Sequence, residues 1–321
     1  MTILLTGCAG FIGSHTTKAL LQKGYNVIGV DNLNDYYNPS WKQNNLNQLN
    51  HENNFTFSRL DITDQAALEQ IFKQQQEQNE PIQKIVHLAA RAGVRASIEQ
   101  PLLYQKVNVE GTLNLLELAR KYQVVQFVFA STSSIYGAQK KIPFSETDPV
   151  NEPVSPYAAT KKAAEMLCYT YSHLHQLKVT CLRFFTVYGP AGRPDMAPYL
   201  FTEALLKGKP INKFGDGSTK RDYTYIDDIV SGLVAAVEKP FAFEIINLGN
   251  NTPVSLNEFI STLEEITDKK AKINQMGMQT GDVPLTYANI DKAGKLLGYQ
   301  PKTSLKEGLM KFVEWYRENR L

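Results

Sequence analysis

A tyrosine and a lysine stand four residues apart in the segment Tyr157-Ala-Ala-Thr-Lys161. In a helix, residues i and i+4 lie on the same face, so the ammonium group can approach the phenol. A phenol with its ordinary pKa of about 10 is a poor base at neutral pH, and a nearby positive charge lowers that pKa by favouring the phenolate. The pair is therefore a candidate general base for removing a proton from a hydroxyl group.

Hydroxyl side chains precede this pair, in a run from Ser131 to Ser134. They follow an apolar stretch that predicts a buried strand over residues 125–130. In open parallel sheets, ligands bind beyond the carboxyl ends of the strands. On its own the Tyr–Lys spacing also fits an ordinary pair on a helix surface, but the hydroxyl-rich strand end favours the catalytic interpretation.

Three glycines, Gly7, Gly10 and Gly13, lie between a predicted strand and a predicted helix. In a dinucleotide-binding loop the first glycine makes a tight turn, the second lets the backbone approach the pyrophosphate, and the third allows close packing of helix and strand. The free N–H groups of the helix then face the phosphate charge. The glycines therefore predict a phosphate-binding loop.

An aspartate, Asp31, follows the next predicted strand, 24 residues after Gly7. A carboxylate there accepts hydrogen bonds from both ribose hydroxyls and repels a 2′-phosphate. The sequence therefore predicts NAD(H) rather than NADP(H) as the cofactor. The positive nicotinamide of NAD⁺ would also favour the Tyr157 phenolate, which could then take a proton from a substrate hydroxyl as hydride leaves the same carbon.

Strands and helices alternate along the first part of the chain, as expected for a parallel sheet with helices on both faces. The predicted strands cover residues 2–5, 26–30, 55–59, 84–88, 125–130 and 178–183, and the predicted helices 15–23, 65–78, 103–122 and 156–173. We therefore predict an α/β protein with a Rossmann doubly wound parallel sheet and a smaller C-terminal α/β lobe. The expected Rossmann domain covers residues 1–185, with 222–249 packing back on it, and the expected substrate lobe covers 186–221 and 250–321. The Asn-rich stretch 44–54 is expected to be a solvated loop.

The composition bounds the class of protein. The chain has 321 residues and a hydrophobic content of 43%. Its net charge of +2 gives no electrostatic argument for binding to nucleic acid or to a membrane surface. The three scattered cysteines form no CxxC pair, which favours a reducing compartment, and we expect the cytoplasm. The N-terminus could be mistaken for a lipoprotein signal, but it has no basic segment and too short an apolar run. No metal site is expected, since His173 and His175 fall on a solvated helix face.

Together, the GxxGxxG loop, Asp31 and the Tyr–Lys pair resemble the short-chain dehydrogenase/reductase superfamily, in its extended branch. The resemblance implies that Thr132 is the hydroxyl that bridges the reacting oxygen of the substrate and Tyr157, so that Thr132, Tyr157 and Lys161 are catalytic. His87 falls in the strand predicted over residues 84–88, and we expect it to be a buried strand residue and not an acid or base. The implied cofactor-binding residues are Gly7, Gly10, Phe11, Ile12, Gly13, Asp31, Asn32, Asp61, Ile62, Ala89, Ala90, Asn108, Tyr157, Lys161 and Phe185.

The residues after Thr132 narrow the reaction. In this branch, sugar-nucleotide dehydratases carry an acidic pair just after the bridging hydroxyl, and decarboxylating members carry a glutamate in that region. Here the positions are Ser133 and Ser134. The resemblance then implies the simplest remaining reaction, which is oxidation at C4, rotation of the keto sugar and reduction on its other face, that is, 4-epimerisation.

Three stretches, residues 31–37, 92–95 and 186–197, resemble the subfamily of UDP-glucuronate 4-epimerases. The resemblance implies that Thr186 and Arg193 hold the sugar carboxylate and that UDP-galacturonate is the product. The alternative is a neutral-sugar 4-epimerase acting on UDP-glucose or UDP-GlcNAc. The implied substrate-binding residues are Thr132, Ser133, Ser134, Tyr157, Thr186, Arg193, Asn212, Phe214, Arg221, Gln279 and Asp282. The resemblance also implies a homodimer that forms through the helices at 103–122 and 156–173. At position 91 this chain has an arginine where the family pattern has a glutamine.

Overall fold

A seven-stranded parallel sheet forms the centre of the computed structural model, which describes residues 1–277 and 283–321. Its strands are β1 (Thr2–Thr6), β2 (Asn26–Asp31), β3 (Phe55–Arg59), β4 (Ile82–His87), β5 (Gln126–Thr132), β6 (Lys178–Phe184) and β10 (Phe243–Leu248). They lie in the order β3-β2-β1-β4-β5-β6-β10. Apolar runs such as that of β1 are buried on both faces, as central parallel strands require. The predicted Rossmann fold is confirmed.

Helices cover both faces of this sheet. They are α1 (Phe11–Gln22), α2 (Pro39–Asn47), α3 (Gln65–Glu77), α4 (Val94–Glu99), α5 (Pro101–Gln105), α6 (Gly111–Lys121), α7 (Pro156–His175) and α9 (Ile226–Glu238). Helix α7, which carries Tyr157 and Lys161, begins sharply because Pro156 occupies its first turn and the Ser155 hydroxyl accepts a hydrogen bond from the backbone N–H of Ala158 at 3.1 Å. These caps fix where the helix starts relative to the ends of the strands.

The second lobe is built from short elements. Its strands are β7 (Thr186–Tyr188), β8 (Pro210–Phe214), β9 (Lys220–Tyr225), β11 (Pro253–Ser255) and β12 (Lys272–Met276), and its helices are α8 (Ala197–Leu206), α10 (Leu256–Thr267), α11 (Asp291–Leu297) and α12 (Leu305–Arg320). Strands β11, β9 and β7 form one small sheet, and β12 pairs with β8. Between these elements the chain returns to the large sheet, where β10 pairs with β6.

Two local expectations were wrong. The single helix predicted over residues 103–122 is divided into α5, a π-helical turn (Lys106–Glu110) and α6. The solvated loop predicted over residues 44–54 contains the end of α2, and its Leu46 and Leu49 are buried. Helix α2 starts at Pro39 behind an Asn38 cap, but its Asn- and Gln-rich sequence carries almost no apolar periodicity to reveal it.

Among the helices within residues 1–277 and 283–321, none is both long enough and apolar enough to cross a bilayer.

Candidate active site

The glycine loop is shaped by two contacts that leave no room for side chains. Gly7 has a φ of +76°, and a Cβ there would lie 2.7 Å from the backbone N of Ala89. A Cβ on Gly13 would lie 1.9 Å from the carbonyl oxygen of Gly7. Because glycine alone fits these positions, α1 packs directly on the loop and its first N–H groups open into the cleft beyond β1. The loop therefore has the form of a phosphate-binding turn.

Asp31 lies at the carboxyl end of β2, where its side chain is buried. One carboxylate oxygen accepts a hydrogen bond from the N–H of Ala9 at 3.2 Å, and the other accepts one from the N–H of Leu33 at 2.9 Å. Burial raises the pKa of Asp31, and these backbone hydrogen bonds oppose that rise. The carboxylate is thus fixed beside the glycine loop, as the sequence predicted for a group that binds a ribose.

A cleft of about 920 Å³ separates the ends of the large-sheet strands from the second lobe. It brings together the predicted site residues Gly7, Gly10, Phe11, Ile12, Gly13, Asp31, Asn32, Asp61, Ile62, Ala89, Ala90, Thr132, Ser133, Ser134, Tyr157, Lys161, Phe185, Thr186, Arg193, Asn212, Phe214 and Arg221. Gln279 and Asp282 lie outside the described residues. The size suits an extended ligand with several polar groups.

Asn108, which was predicted to bind the cofactor, is buried behind the wall of this cleft and is not among the residues that line it. Its side-chain oxygen accepts from the N–H of Arg91 at 2.8 Å, and its Nδ2 donates to the carbonyl of Arg91 at 3.0 Å and to the Thr160 hydroxyl at 3.1 Å. Asn108 therefore ties the segment after β4 to α7. This is a positioning role for the helix that carries Tyr157.

The candidate catalytic groups sit at the ends of β5 and α7. Lys161 Nζ donates to the carbonyl of Ala130 at 2.8 Å, and burial lowers the pKa of Lys161 to about 8. Burial raises the pKa of the Tyr157 phenol, while a hydrogen bond with Thr132 and the positive charge of Arg193 act in the opposite direction. The phenol is therefore half-buried in the cleft wall and next to the bridging hydroxyl, which is where a proton-transfer group must be.

The low pKa of Lys161 predicts how the free energy of unfolding depends on pH. In the folded protein Lys161 loses its proton at about pH 8, whereas the exposed side chain has a pKa of 10.5. Between these values the unfolded chain binds more protons, so the free energy of unfolding rises with pH. Between these two pKa values, the free energy of unfolding of the wild type should rise by about 1.4 kcal/mol per pH unit relative to that of Lys161→Met. Urea unfolding of both cofactor-free proteins measures this, and parallel pH curves would contradict it.

His87 confirms its predicted structural role. It is buried in β4, and burial lowers its pKa well below the usual range. The Thr112 hydroxyl donates to the carbonyl of Asn108 at 2.6 Å, so it accepts from Nε2 of His87 at 3.0 Å. Nδ1 then accepts from the Thr6 hydroxyl at 2.7 Å. The neutral ring is held by a complete hydrogen-bond network, away from the cleft.

Arg193 lies in the cleft wall and makes an ion pair that the sequence did not predict. Its Nε donates to Asp195 at 3.0 Å, and its Nη2 donates to the same carboxylate. Nη2 also donates to the hydroxyl of Tyr36 at 3.3 Å. Neither Asp195 nor Tyr36 had a signal of its own in the sequence beyond belonging to the stretches that contain them.

The far end of the cleft is formed by the second lobe. Asn212 and Phe214 lie on β8, and Arg221 lies on β9. The guanidinium of Arg95, from α4, lies 5.5 Å from the centre of the Phe214 ring. The two lobes therefore meet here through a cation–π contact, at one of the predicted substrate-binding residues.

A buried ion pair supports the strand ends from behind. Arg183 on β6 makes two hydrogen bonds of 2.9 Å to Glu165 on α7, and both side chains are 1% exposed. The hydroxyl of Ser131 also donates to Glu165 at 2.6 Å. The pair thus joins the catalytic helix to the ends of two neighbouring strands.

Glu165→Gln should destabilise the protein by about 3–5 kcal/mol, because Arg183 would be left as a buried charge without its counter-ion. Urea denaturation measures the free energy of unfolding. The matched control is Glu238→Gln, whose partner Lys23 lies 2.6 Å away in an exposed pair, and it should cost less than about 1 kcal/mol. Equal losses in the free energy of unfolding for the two substitutions would show that the buried Glu165–Arg183 pair stabilises the protein no more than an exposed pair does.

The fold and the site define a dinucleotide-binding protein of the extended short-chain dehydrogenase/reductase class. A family model described as GDP-mannose 4,6 dehydratase matches residues 4–312, and the chain belongs to that family. A UDP-glucuronate 4-epimerase from Thermodesulfobacterium geofontis is 50% identical, over 98% of this chain and 96% of the relative.

Two solved structures are similar over nearly their full length. A UDP-glucuronic acid 4-epimerase from Bacillus cereus, in complex with UDP-glucuronic acid and NAD, has a TM-score of 0.92 and 38% identity over 99% of each chain. A UDP-glucose 4-epimerase from Thermotoga maritima, solved with UDP-glucose, has a TM-score of 0.90 and 37% identity over 99% of each chain. The two structures thus hold nucleotide sugars with and without a carboxylate.

Proposed function

We propose that the protein is an NAD-dependent 4-epimerase that interconverts UDP-glucuronate and UDP-galacturonate through a transient 4-keto sugar. The single observation that carries this proposal is that Arg193 lines the same cleft as Tyr157 and Thr132, while serines stand where carboxylates would be needed for water elimination. This part of the cleft then offers a base and a cation, with Ser133 and Ser134 in place of an acid pair after Thr132.

The residues of the first lobe fit NAD. The glycine loop turns tightly against Ala89 and α1 because Gly7 and Gly13 carry no side chains, and Asp31 is fixed beside it. Gly10 and Asp31 would hold the pyrophosphate and the adenosine ribose. When bound, NAD supplies an acceptor for the C4 hydride and returns that hydride to the other face.

Each polar side chain of the cleft that the proposal uses has a defined role in this reaction. Burial raises the pKa of the Tyr157 phenol, and the positive nicotinamide of NAD⁺ would oppose that rise and favour the phenolate. Tyr157 then accepts the proton of the C4 hydroxyl, and Thr132 shares a hydrogen bond with it. The proton returns from Tyr157 to the C4 oxygen after the sugar has rotated. Arg193 and Thr186 hold the carboxylate, and Arg221 holds the diphosphate, for which a planar guanidinium is well suited.

A neutral UDP-sugar 4-epimerase is the second candidate, and one observation favours it. Arg193 is already paired with Asp195, so a sugar with a plain C6 hydroxymethyl group would not leave a buried cation without a counter-charge. The two candidates therefore differ in the substrate that turns over and share the same catalytic residues.

Incubation of the purified protein with UDP-glucuronate, without added NAD, tests the proposal. We expect UDP-galacturonate, because the cofactor is regenerated in every cycle and has no need to leave. Parallel reactions with UDP-glucose and UDP-GlcNAc separate the two candidates. Turnover of a neutral sugar with none of UDP-glucuronate would overturn the first candidate.

We further propose a homodimer that forms through α5 and α7. Leu102 on α5 is 84% exposed and Met166 on α7 is 59% exposed, which is unusual for large apolar side chains on neighbouring helices. A second copy of the chain would cover both. Light scattering should give twice the chain mass for the wild type and the chain mass for Leu102→Glu/Met166→Glu, whereas a wild-type monomer would contradict the proposal.

We also propose that the protein works in a reducing compartment such as the cytoplasm. Its three cysteines, Cys8, Cys168 and Cys181, are buried and unpaired, as thiols are where glutathione keeps them reduced. Cell fractionation with a tagged full-length chain tests this, and recovery from an oxidising compartment would contradict it.

A further inference from the structure

Three separate segments meet beside Arg193, and the reaction as proposed uses only one of their residues. The hydroxyl of Tyr36 accepts from Arg193 Nη2 at 3.3 Å and donates to Asp195 at 3.2 Å. Gly93 closes the group from the third side, since a Cβ there would lie 2.7 Å from the Tyr36 hydroxyl and 3.4 Å from Arg193 Nη2. These segments are the same three stretches that the sequence singled out.

The segment that delivers Tyr36 is stiffened by its own side chains. Asp31, Asn32 and Asn34 each accept a hydrogen bond from the backbone N–H two residues further on, at 2.9, 3.0 and 3.1 Å. Lys42 Nζ then donates to both the carbonyl and the side-chain oxygen of Asn34 at 3.0 Å. The backbone that carries Tyr36 is therefore held in place relative to the end of β2.

The contacts of Arg193 leave one edge of the guanidinium for a ligand. A guanidinium has five N–H donors. Asp195 engages Nε and one N–H of Nη2, and Tyr36 engages the other N–H of Nη2. Within residues 1–277 and 283–321, no hydrogen bond involves Nη1. Both N–H groups of Nη1 therefore remain for an anionic substrate.

We propose that Tyr36 and Asp195 are positioning residues that fix the plane of the Arg193 guanidinium, so that only Nη1 meets the carboxylate of the sugar. This inference rests on the proposed function, whose substrate carries that carboxylate. The pairing with Asp195 also removes much of the net charge at this point. Arg193 then orients the carboxylate more than it attracts it.

Orientation matters because the oxidised substrate is a β-keto acid. If the bond from C5 to the carboxylate aligns with the C4 carbonyl π system, that bond breaks, its electron pair forms the enolate, and CO₂ leaves. Protonation of the enolate at C5 by water then gives a 4-keto-pentose. This product no longer takes back the hydride once it has dissociated, so NADH stays on the protein. A loosely held carboxylate is therefore expected to produce both CO₂ and trapped NADH.

Tyr36→Phe and Asp195→Asn test the proposal. Tyr36→Phe keeps the ring and removes the hydroxyl, and we expect a KM for UDP-glucuronate about tenfold higher, as for loss of a hydrogen bond to a charged group. Both variants should accumulate NADH absorbance and 4-keto-pentose during turnover, several-fold above the wild type. The Kd of UDP-glucose, which has no carboxylate, should stay within about twofold of the wild type in both variants.

The matched control is Tyr122→Phe, which removes a hydroxyl that donates to Glu69 at 2.9 Å, away from the cleft, and it should behave as the wild type. Wild-type KM and wild-type NADH levels in both variants would overturn the inference while leaving the epimerase intact. An equal loss of UDP-glucose affinity would also overturn it, because it would indicate general damage to the cleft. A wild type that leaves UDP-glucuronate unchanged would instead overturn the proposed function itself, and the inference with it.

Discussion

Tyr157→Phe should lower kcat for the interconversion of UDP-glucuronate and UDP-galacturonate about a thousandfold, the size expected for loss of a positioned acid–base group. The phenol lies in the wall of the cleft and shares a hydrogen bond with Thr132, and phenylalanine has no group that could take over the proton. The ring of Tyr104 lies 6.2 Å away in an edge contact, and phenylalanine keeps that packing. KM should change little, because the lost interaction is made with the reacting hydroxyl as its proton leaves.

The measurement is steady-state product formation followed by chromatography of the two UDP-sugars. Tyr171→Phe is the matched control, since Tyr171 lies on the same helix and its hydroxyl donates to Glu117, away from the cleft. It should keep wild-type kcat. A Tyr157→Phe protein that epimerises at the wild-type rate would remove the catalytic assignment of this residue.

Arg193→Ala should raise KM for UDP-glucuronate by about a hundredfold and divert part of the product to CO₂ and 4-keto-pentose. Alanine removes the cation that holds the carboxylate and leaves Asp195 in the wall of the cleft, where its charge repels that carboxylate. The hydroxyls of Thr186 and Thr132 remain, so some substrate still binds. The freed carboxylate then reaches the alignment in which CO₂ is lost.

Arg193→Lys separates charge from shape. Lysine keeps a positive charge but not the planar fork, so it should recover part of the affinity and less of the protection against CO₂ release. Mass spectrometry of the products and the yield of CO₂ measure both effects. If Arg193→Ala epimerises with wild-type KM and releases no CO₂, Arg193 does not bind the carboxylate.

The dinucleotide loop and the strand order could be predicted because they depend on local constraints. The fit of Gly7 and Gly13 follows from backbone geometry within one turn, and alternation of strands and helices leaves few topologies for a parallel sheet. Likewise, the four-residue spacing places Tyr157 and Lys161 on the same face of any α-helix. Such features read directly from the sequence.

Contacts between the two lobes could not be predicted. Tyr36 and Arg193 are 157 residues apart in the sequence and meet only because the segment after β2 crosses the cleft. The placement of Asn108 depends in the same way on partners before and after it in the chain, at Arg91 and Thr160. Sequence reasoning also did not predict that Arg193 lies close enough to Tyr157 for its charge, after the hydrogen bond with Thr132, to oppose the rise in the pKa of the phenol. All three features depend on contacts between residues that are far apart in the sequence.

The two backbone hydrogen bonds of Asp31 have a consequence for protein engineering. Conversion to a coenzyme with a 2′-phosphate would begin by replacing this aspartate with a small neutral residue. That change would release the N–H of Ala9 in the phosphate loop and the N–H of Leu33 in the first of the turns that support Tyr36. A switch of coenzyme made at this position would therefore also relax discrimination at the sugar end, unless a second substitution restored the lost acceptor.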